Sequence, residues 1–366
     1  MPWLEVGGFQ FRLALQLDPL GALVATLVSV IAMVVFAYSI SYMASQPHQG
    51  RFYAELSLFA AAMLTIVMAA DLLTLFIAWE LVGLSSYLLI AFRFQEPGAP
   101  PAATKALLAT RLGDLAMLAG VLLLVQAIGG SDIGRALTAA SSGDLSPSVL
   151  LIATLLIFAG AAGKSAQTPL QGWLPDAMIA PTPVSALLHS ATMVAAGVFL
   201  VARLYPLFEA AALALSVVAW VGATTAVLGG AAALAQTDLK RTLAYSTLSQ
   251  MGLMFVGLGA GSLIAGLALL IAHALYKATL FLAAGAVERE VHSREYRGLG
   301  GLARRMPVTF AAFVISAAAL AGLPVSLALP SKDATLAAAL GQSWALFAVA
   351  LVAAILLPSI LAAPWP

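Results

Sequence analysis

The chain has 366 residues, of which 62% are hydrophobic and only 9% charged, and its formal net charge is +1. Soluble globular domains carry about 25% charged residues, so this composition excludes a water-soluble protein and predicts an all-α polytopic membrane protein. The absence of cysteine excludes disulfides, thiolate metal sites and iron–sulfur ligation.

Apolar stretches long enough to cross a bilayer recur along the chain. A spanning helix needs about 20 mostly apolar residues, and the sequence predicts about eleven of them: 20–42, 54–70, 72–92, 104–128, 148–171, 183–204, 209–234, 242–260, 262–287, 308–341 and 343–360. We expect discontinuous helices in the fifth, broken by Pro169 and Pro175, and in the tenth, broken by Pro324 and Pro330. The leader before the first span has no cleavable-signal layout, so that span is expected to be retained.

Basic residues are distributed unequally between the predicted loops. Ten lie on the side of the C-terminus and three on the other side. The ten are Arg51, Arg93, Lys105, Lys240, Arg241, Arg289, Arg294, Arg297, Arg304 and Arg305, and the three are Arg12, Arg135 and Arg203. The positive-inside rule then places the N-terminus outside and the C-terminus in the cytoplasm, and we expect a bacterial inner membrane. Loop 288–306 carries both signs of charge and is predicted to be a solvated cytoplasmic connector.

Several ionisable residues fall inside predicted spans, where each costs about 2.5–3.5 kcal/mol and is therefore a candidate for function. A carboxylate such as Glu80 beside a buried Lys164 would hold the proton on the lysine, and its departure would release that proton. The two residues could be this kind of proton store or a static ion pair between helices. Arg111 and Asp114 lie three positions apart, which favours a local ion pair on one helix face.

Histidines and further lysines continue this pattern. His273 and Lys277 are four residues apart and share a helix face, whereas His189 stands alone. A single histidine in an apolar helix is more often a hydrogen-bonded packing element. Together with Lys164 and Lys332, however, these residues form a series of groups that titrate or can be tuned near neutral pH, which favours proton transport.

The predicted spans also suggest internal symmetry. After an N-terminal unit, residues 1–53, spans two to eleven divide into two groups of five, residues 54–204 and 205–366. Lys164 lies in the fourth span of the first group and Lys332 in the fourth span of the second. Because each group has an odd number of helices, the two would be inverted in the bilayer. Interrupted helices at matching places in inverted repeats indicate ion sites in transporters.

Several segments closely resemble the antiporter-like membrane subunits of complex I, above all the run 163–203, which begins GKSAQTPLQGWLP. The others are DLLTLFIAWELVGLSSYLLIAF, TRLGD, QTDLKRTLAYSTLSQMG, HALYKATLFLAAGAV and SKDATL. The chain is most similar to the L subunit (subunit 5) of proton-translocating NADH–quinone oxidoreductase. The large subunit of Mrp-type cation/proton antiporters shares much of the pattern. The resemblance covers most of residues 17–335.

The resemblance implies two inverted five-helix repeats, a hydrated polar axis along the membrane centre, and partner membrane subunits in a respiratory or antiporter complex. It implies no redox chemistry, cofactor or metal in this chain. Its proton-transfer residues would be Glu80 beside Lys164, the connecting histidines His189 and His273, the nearby Lys277 and the exit-side Lys332, with Arg111, Asp114, Asp176 and Asp333 as supporting charges.

The sequence departs from this family at three places. Members of the L type often have a histidine where this chain has Leu269, residues 324–332 lack the usual glycine- and phenylalanine-rich run, and the extra terminal helices are expected to be missing. The leading hypothesis is a proton-translocating subunit of an NADH–quinone oxidoreductase-like complex. The alternatives are an Mrp-type Na⁺/H⁺ antiporter subunit, a membrane subunit for inorganic-carbon uptake, and a shortened scaffold subunit that does not pump.

Overall fold

The computed structural model describes residues 2–6, 9–324 and 326–359, and it is helical apart from one antiparallel hairpin at the N-terminus. The hairpin pairs β1 (Pro2–Val6) with β2 (Phe9–Arg12). Residue 360, the predicted end of the eleventh span, lies outside the described residues. So do residues 1, 7 and 8 of the predicted leader.

Sixteen α-helices follow the hairpin within the part of the chain that the structure describes. They are α1 (Pro19–Tyr42), α2 (Gln49–Met68), α3 (Leu72–Ile90), α4 (Ala99–Ile128), α5 (Ile133–Ser142), α6 (Pro147–Lys164), α7 (Thr182–Ser190), α8 (Met193–Arg203), α9 (Tyr205–Ala210), α10 (Ala212–Leu234), α11 (Leu239–Gly259), α12 (Leu263–Val291), α13 (Leu302–Arg305), α14 (Pro307–Ala321), α15 (Ala328–Gln342) and α16 (Trp344–Ser359).

Among the residues that the structure describes, eight candidate spans are long and apolar enough to cross a membrane, if α7 and α8 are counted as one. These are α1 to α4, α6, the α7–α8 pair, α10 and α12. The prediction of an all-helical membrane protein is therefore confirmed. The other predicted spans also coincide with helices, but α14 and α16 are short, and α11 carries Lys240, Gln250 and several hydroxyl groups. The division into inverted repeats stays a prediction.

The fifth predicted span is interrupted, as expected, but earlier than its prolines suggested. Helix α6 ends at Lys164, and residues 165–181 contain only two short 3₁₀ turns before α7 begins. Pro169 and Pro175 lie inside this non-helical segment and prevent the helix from resuming. The sixth predicted span coincides with one candidate span, Thr182–Arg203, but residues 191–192 interrupt it between α7 and α8, a break that the sequence analysis did not anticipate.

The tenth predicted span is also discontinuous, as predicted. Helix α14 ends at Ala321, Gly322 caps it with a positive φ of 88°, and α15 begins at Ala328. Pro324 lies in the intervening turn. Pro330 does not break a helix as predicted, because it is the third residue of α15, where the backbone N–H would have no helical partner anyway.

The molecule has a polar face at each end of its bundle of helices. On one of them, which we call the N-terminal face, Arg203 forms an ion pair with Asp18 and donates to the carbonyl of Ala69, while Asp71 pairs with Asp132 in an isolated bridge. These contacts join the start of α1 to the end of α8 and the connection before α3 to the one before α5.

The opposite face, which we call the basic face, is joined by ion pairs between distant segments. Lys105 at the start of α4 lies 2.6 Å from Asp176, and Arg294 after α12 lies 3.2 Å from Asp238 before α11. Arg289 at the end of α12 donates to the carbonyl of Ser41 at the end of α1. Consecutive long helices therefore run in alternating directions between the two faces.

Helices α10 and α11 approach each other closely along a glycine seam, which we define as Gly222, Gly252 and Gly259. A Cβ at Gly222 would lie 2.6 Å from the carbonyl oxygen of Gly252, and one at Gly252 would lie 2.4 Å from that of Gly222. At Gly259 the Cβ would lie 2.3 Å from the nitrogen of Ala219. Small residues let the backbones of membrane helices pack in this way.

Candidate functional site

Lys164 is completely buried at the end of α6 and is paired with a carboxylate of α4. Its Nζ lies 3.2 Å from Oδ2 of Asp114, and the indole Nε1 of Trp79 donates to Oδ1 of the same carboxylate at 2.6 Å. The ammonium also lies 5.7 Å from the centre of the Trp79 ring. Both oxygens of Asp114 are thus used, as a buried charge requires.

The predicted ion-pair partners were wrong. Glu80 of α3 pairs with Arg111, not with Lys164, and Asp114 pairs with Lys164, not with Arg111. Residues three apart on a helix differ by about 60° in direction. On α4 this rotation is enough to point Arg111 towards α3 and Asp114 towards α6.

Glu80 nevertheless lies close to Lys164. A Cβ on Gly83 would be only 2.7 Å from the Nζ of Lys164, so the amine rests directly against α3. Gly83 and Glu80 are three residues apart and lie on the same side of that helix. Within the described part of the chain, Oε1 of Glu80 is buried and accepts no hydrogen bond. A second carboxylate with a free oxygen therefore lies about one helical turn from the amine.

His189 and His273, which the resemblance suggests as connecting histidines, lie next to each other. Both are fully buried. Nε2 of His273 lies 3.2 Å from the backbone carbonyl of His189, which makes this nitrogen the donor. The ring of His189 packs between Trp173 and Phe281, with ring centres 6.4 Å and 5.7 Å away. Among the described residues, neither nitrogen of His189 has a hydrogen-bond partner.

Lys277 lies one turn beyond His273 on α12 and binds α11. Its Nζ donates to Oγ of Ser246 at 2.6 Å and to the carbonyl of Leu243 at 3.2 Å. The neighbouring Tyr276 donates to Oε1 of Gln250 at 3.0 Å.

Sequence reasoning missed Ser246, Gln250 and Tyr276. The four-residue spacing of two polar side chains in α11 was the signal that could have found them. Leu269 is fully buried one turn before His273, so no titratable side chain occupies that position.

Lys332 differs from Lys164 in its partner. Its Nζ, on the first turns of α15, donates to the carbonyl of Leu320 near the end of α14 at 2.5 Å. In the described residues no carboxylate forms an ion pair with it. Asp333 does not support Lys332 as predicted, because consecutive helical residues point about 100° apart and Asp333 is exposed.

Two further charged residues lie on the basic face. Asp176 is 2.6 Å from Lys105 and 3.7 Å from Arg241, so it stabilises this face and is not in contact with Lys164. Lys240, which the sequence placed in a loop, lies in the first turn of α11 with a buried amine. That amine donates to the carbonyl of Ala180 at 3.0 Å.

The arrangement brings together buried groups that can accept or release protons, at helix ends and interruptions. Asp114 with Lys164 lies on one side, His189, His273 and Lys277 lie in the centre, and Lys332 lies beside the second interruption. No group of three His, Cys, Asp or Glu side chains among the described residues could hold a metal ion. The fold and the site define an all-helical integral membrane protein with buried lysines at interrupted helices.

Comparison with known families agrees with this class. The family described as "NADH:quinone oxidoreductase/Mrp antiporter, TM" matches residues 69–357, and the family "NADH-Ubiquinone oxidoreductase (complex I), chain 5 N-terminus" matches residues 3–53. The chain belongs to this family of antiporter-like membrane subunits, and within it to the subunit 5 (L) type related to the large Mrp antiporter subunit.

Individual relatives are similar over most of this chain. NAD(P)H-quinone oxidoreductase chain 5 of Picosynechococcus sp. is 43% identical over 346 residues, which are 91% of this chain and 52% of the relative. F(420)H(2) dehydrogenase subunit L of Methanosarcina mazei is 46% identical over 334 residues, 84% of this chain and 50% of the relative. The chain thus spans about half the length of the curated relatives it matches.

Solved structures contain the same fold. A chain in the structure of the Mrp complex from Dietzia sp. DQ12-45-1b superposes with a TM-score of 0.90 at 37% identity, covering 99% of this chain and 40% of that chain. A chain of the archaeal membrane-bound sulfane sulfur reductase superposes with a TM-score of 0.84 at 26% identity, covering 92% of this chain and 71% of that chain.

Proposed function

We propose that this chain is a proton-translocating membrane subunit of a quinone oxidoreductase-like respiratory complex. Protons would pass along Lys164, His189, His273 and Lys332, with Lys277 beside the path. The observation that carries the proposal is that all five of these side chains are buried, at 0% exposure for the first three and Lys277 and 5% for Lys332. Buried titratable groups are costly in a membrane and mark proton paths.

Glu80 modulates Lys164 in this proposal. The amine of Lys164 lies against Gly83, one turn from Glu80, while its charge is balanced by Asp114. When Arg111 moves away from Glu80, this carboxylate becomes available to Lys164. Exchange between two carboxylates changes how strongly the ammonium form is held, and such a change can drive proton uptake or release.

The finer architecture belongs to the same proposal. Residues 54–204 and 205–366 form two inverted five-helix repeats within about eleven spans, and the helix interruptions beside Lys164 and Lys332 support this division. The C-terminus and the basic face lie in the cytoplasm of a bacterial cell by the positive-inside rule. The partners are other membrane subunits of the complex, and the reaction that drives proton movement takes place outside this chain.

Replacement of Lys164 and Glu80 in the assembled complex tests the proposal. Proton uptake into inverted membrane vesicles is followed by quenching of an acridine dye after the electron donor is added. We expect Lys164→Ala to abolish proton translocation and Glu80→Gln to slow it several-fold. The exposed Asp333→Asn serves as the matched control for a lost charge. Wild-type rates of translocation in both the Lys164 and the Glu80 variant would refute the proposal.

An Mrp-type Na⁺/H⁺ antiporter subunit is the second candidate. The TM-score of 0.90 with a chain of the Mrp complex over 99% of this chain favours it. The two candidates differ in the ion that moves in return. Vesicles loaded with ²²Na⁺ and given a pH gradient would lose sodium in exchange for protons if the chain is an antiporter subunit. They would retain it if the chain carries protons alone.

A further inference from the structure

A cavity of about 200 Å³ opens on the basic face where several segments of the chain meet. Its lining comes from the connection between α3 and α4, the end of the non-helical segment 165–181, the first turn of α11 and the segment after α12. The lining includes three basic side chains and two carboxylates, namely Arg93, Lys240, Arg294, Glu96 and Glu288. Basic groups therefore outnumber carboxylates around this space.

The ammonium group of Lys240 has fewer partners than a buried charge requires. Lys240 is only 2% exposed, and its Nζ donates to the carbonyl of Ala180 at 3.0 Å. Its nearest carboxylate oxygen among the described residues, Oε2 of Glu288, is 3.7 Å away, which is too far for a hydrogen bond. Two of the three N–H groups of Lys240 are therefore without a protein acceptor in the described part of the chain.

Glu288 does not balance Lys240 alone, because other groups share this carboxylate. Thr182 donates to Oε2 of Glu288 at 2.9 Å, and Nε of Arg294 lies 3.9 Å from Oε1. Arg294 has a second carboxylate partner in Asp238, at 3.2 Å, whereas Lys240 forms no other ion pair within the described residues. A further anion in the cavity would therefore stabilise the buried ammonium group.

Two more donors of this lining are unused within the described residues. Nε of Arg93 is buried and has no hydrogen-bond partner, and this guanidinium group reaches Glu96 only through Nη1, at 3.5 Å. Oγ of Ser293, which also lines the cavity, accepts from the backbone N–H of Glu295 at 3.2 Å, so its own proton is free to donate. Because buried polar atoms are nearly always paired, these donors indicate a ligand that supplies acceptors.

The ligand that suits these donors is an anion with several oxygens. Lysine and arginine bind phosphate groups through strong, charge-assisted hydrogen bonds. A phosphate group offers oxygens in different directions, which fits donors that come from three segments around one cavity. Basic pockets between helices on the cytoplasmic side of membrane proteins bind lipid head groups in this way, and free phosphate has the same chemistry.

We propose that this cavity binds a phosphate group, of a lipid head group or of free phosphate, through Arg93, Lys240 and Ser293. The bound group supplies the counter-charge that Lys240 lacks and accepts the unused hydrogen bonds. It also joins the connection before α4, the start of α11 and the segment after α12 at the point where the non-helical segment 165–181 ends. Phosphate binding does not depend on the proposed proton path.

Binding measurements on the assembled complex test this site in two arms. In the first, binding of [³²P]orthophosphate to the detergent-solubilised complex is measured by equilibrium dialysis. In the second, the complex is placed in nanodiscs of phosphatidylcholine with a small fraction of phosphatidic acid. The phosphatidic acid that stays bound after transfer to detergent is then quantified by mass spectrometry.

Both arms compare the wild type with Arg93→Gln and Lys240→Met. Arg304→Gln is the matched control, because it removes an exposed positive charge from the connector after α12 and Arg304 does not line the cavity. We expect at least one arm to show a bound phosphate group whose affinity falls at least tenfold in Arg93→Gln and stays within twofold in Arg304→Gln. Lys240→Met should abolish the same binding. Arg93 is half-buried in a connection, so Arg93→Gln carries the test if Lys240→Met does not assemble.

The two arms also identify the source of the phosphate group. Binding that depends on Arg93 with orthophosphate alone indicates free phosphate, and such binding with phosphatidic acid alone indicates a lipid head group. No binding in either arm, or equal binding in Arg93→Gln and Arg304→Gln, would overturn the site. Lys164→Ala, which tests the proton path, should leave phosphate binding unchanged, because Lys164 does not line the cavity. Failure of the site and failure of the proposed function are thus distinguishable.

Discussion

The lysines beside the two helix interruptions have different hydrogen-bond partners. Lys164 ends the helix before the first interruption and faces the carboxylate of Asp114 and the ring of Trp79. Lys332 lies after the second interruption and donates to a backbone carbonyl, that of Leu320. Both amines are buried, so the difference lies in the partner and not in the depth.

Because the partners differ, the electrostatic attraction on the ammonium group also differs between the two sites. At the 3.2 Å separation of Lys164 and Asp114, the Coulomb attraction is about 5 kcal/mol with an effective dielectric constant of about 20. A carbonyl dipole offers Lys332 much less. The ammonium form is therefore held by a charged partner at the first site and by a neutral one at the second.

The largest expected effect comes from removing the carboxylate at the first site. Asp114→Ala leaves the ammonium of Lys164 buried without its partner, and breaking a buried ion pair in this way costs about 3–5 kcal/mol. Thermal unfolding of the detergent-solubilised complex, followed by retention of its subunits on heating, measures the loss. Lys332→Met is the control, because it removes a buried charge that has no ion-pair partner, and it should not lower stability. Equal losses in both variants would show that the two sites do not differ as described.

Replacement of each lysine by glutamate should distinguish the roles of the two residues in proton transport. In Lys332→Glu, a protonated carboxyl group can donate to the carbonyl of Leu320 as the ammonium does, and it can still release and rebind a proton. In Lys164→Glu, two carboxylates face each other and repel.

We expect Lys332→Glu to retain a proton-translocation rate at least tenfold above that of Lys164→Glu, measured by dye quenching in inverted vesicles. Lys164→Met and Lys332→Met provide the baseline for each site. A Lys332→Glu rate as low as that of Lys332→Met would contradict the interpretation.

A smaller effect is expected from a substitution at Gly83, the residue of α3 that the amine of Lys164 contacts. In Gly83→Ala the new Cβ would lie 2.7 Å from Nζ of Lys164, so the flexible end of the lysine must move. We expect translocation to fall about two- to fivefold with little change in thermal stability. Gly341→Ala on α15 is the matched control, since its Cβ would meet no atom within 4 Å. A rate in Gly83→Ala indistinguishable from that of Gly341→Ala would argue against a fixed position for the amine.

The sequence was sufficient to predict the class of fold, the presence of an interruption in the fifth and tenth spans and the burial of the lysines and histidines within the spans. Isolated charges in apolar runs and clustered prolines are local signals, and they indicate these features directly. It was not sufficient to predict the ion pairs around Lys164. Whether Arg111 or Asp114 faces α6 depends on the rotation of α4 about its axis, and that rotation is set by packing against α3 and α6.

Two other features had no local signal. The interruption between α7 and α8 falls at Ala191 and Thr192, neither of which disfavours a helix strongly. Lys240 appeared to be a loop residue because it follows a polar run. It is buried because the carbonyl of Ala180, 60 residues away in the sequence, reaches its amine. Contacts between distant segments of this kind cannot be derived from hydrophobic periodicity.

The glycine seam between α10 and α11 has a mechanical consequence. Backbones that approach so closely that a Cβ would clash at Gly222 and Gly252 cannot slide past each other without losing contact along much of their length. The two helices therefore form one closely packed pair, which contacts α6 through α10 and α15 through α11. The helices that carry Lys164 and Lys332 are thus both packed against the same pair, and a relative shift of one of them has to be accommodated by the other or by that pair.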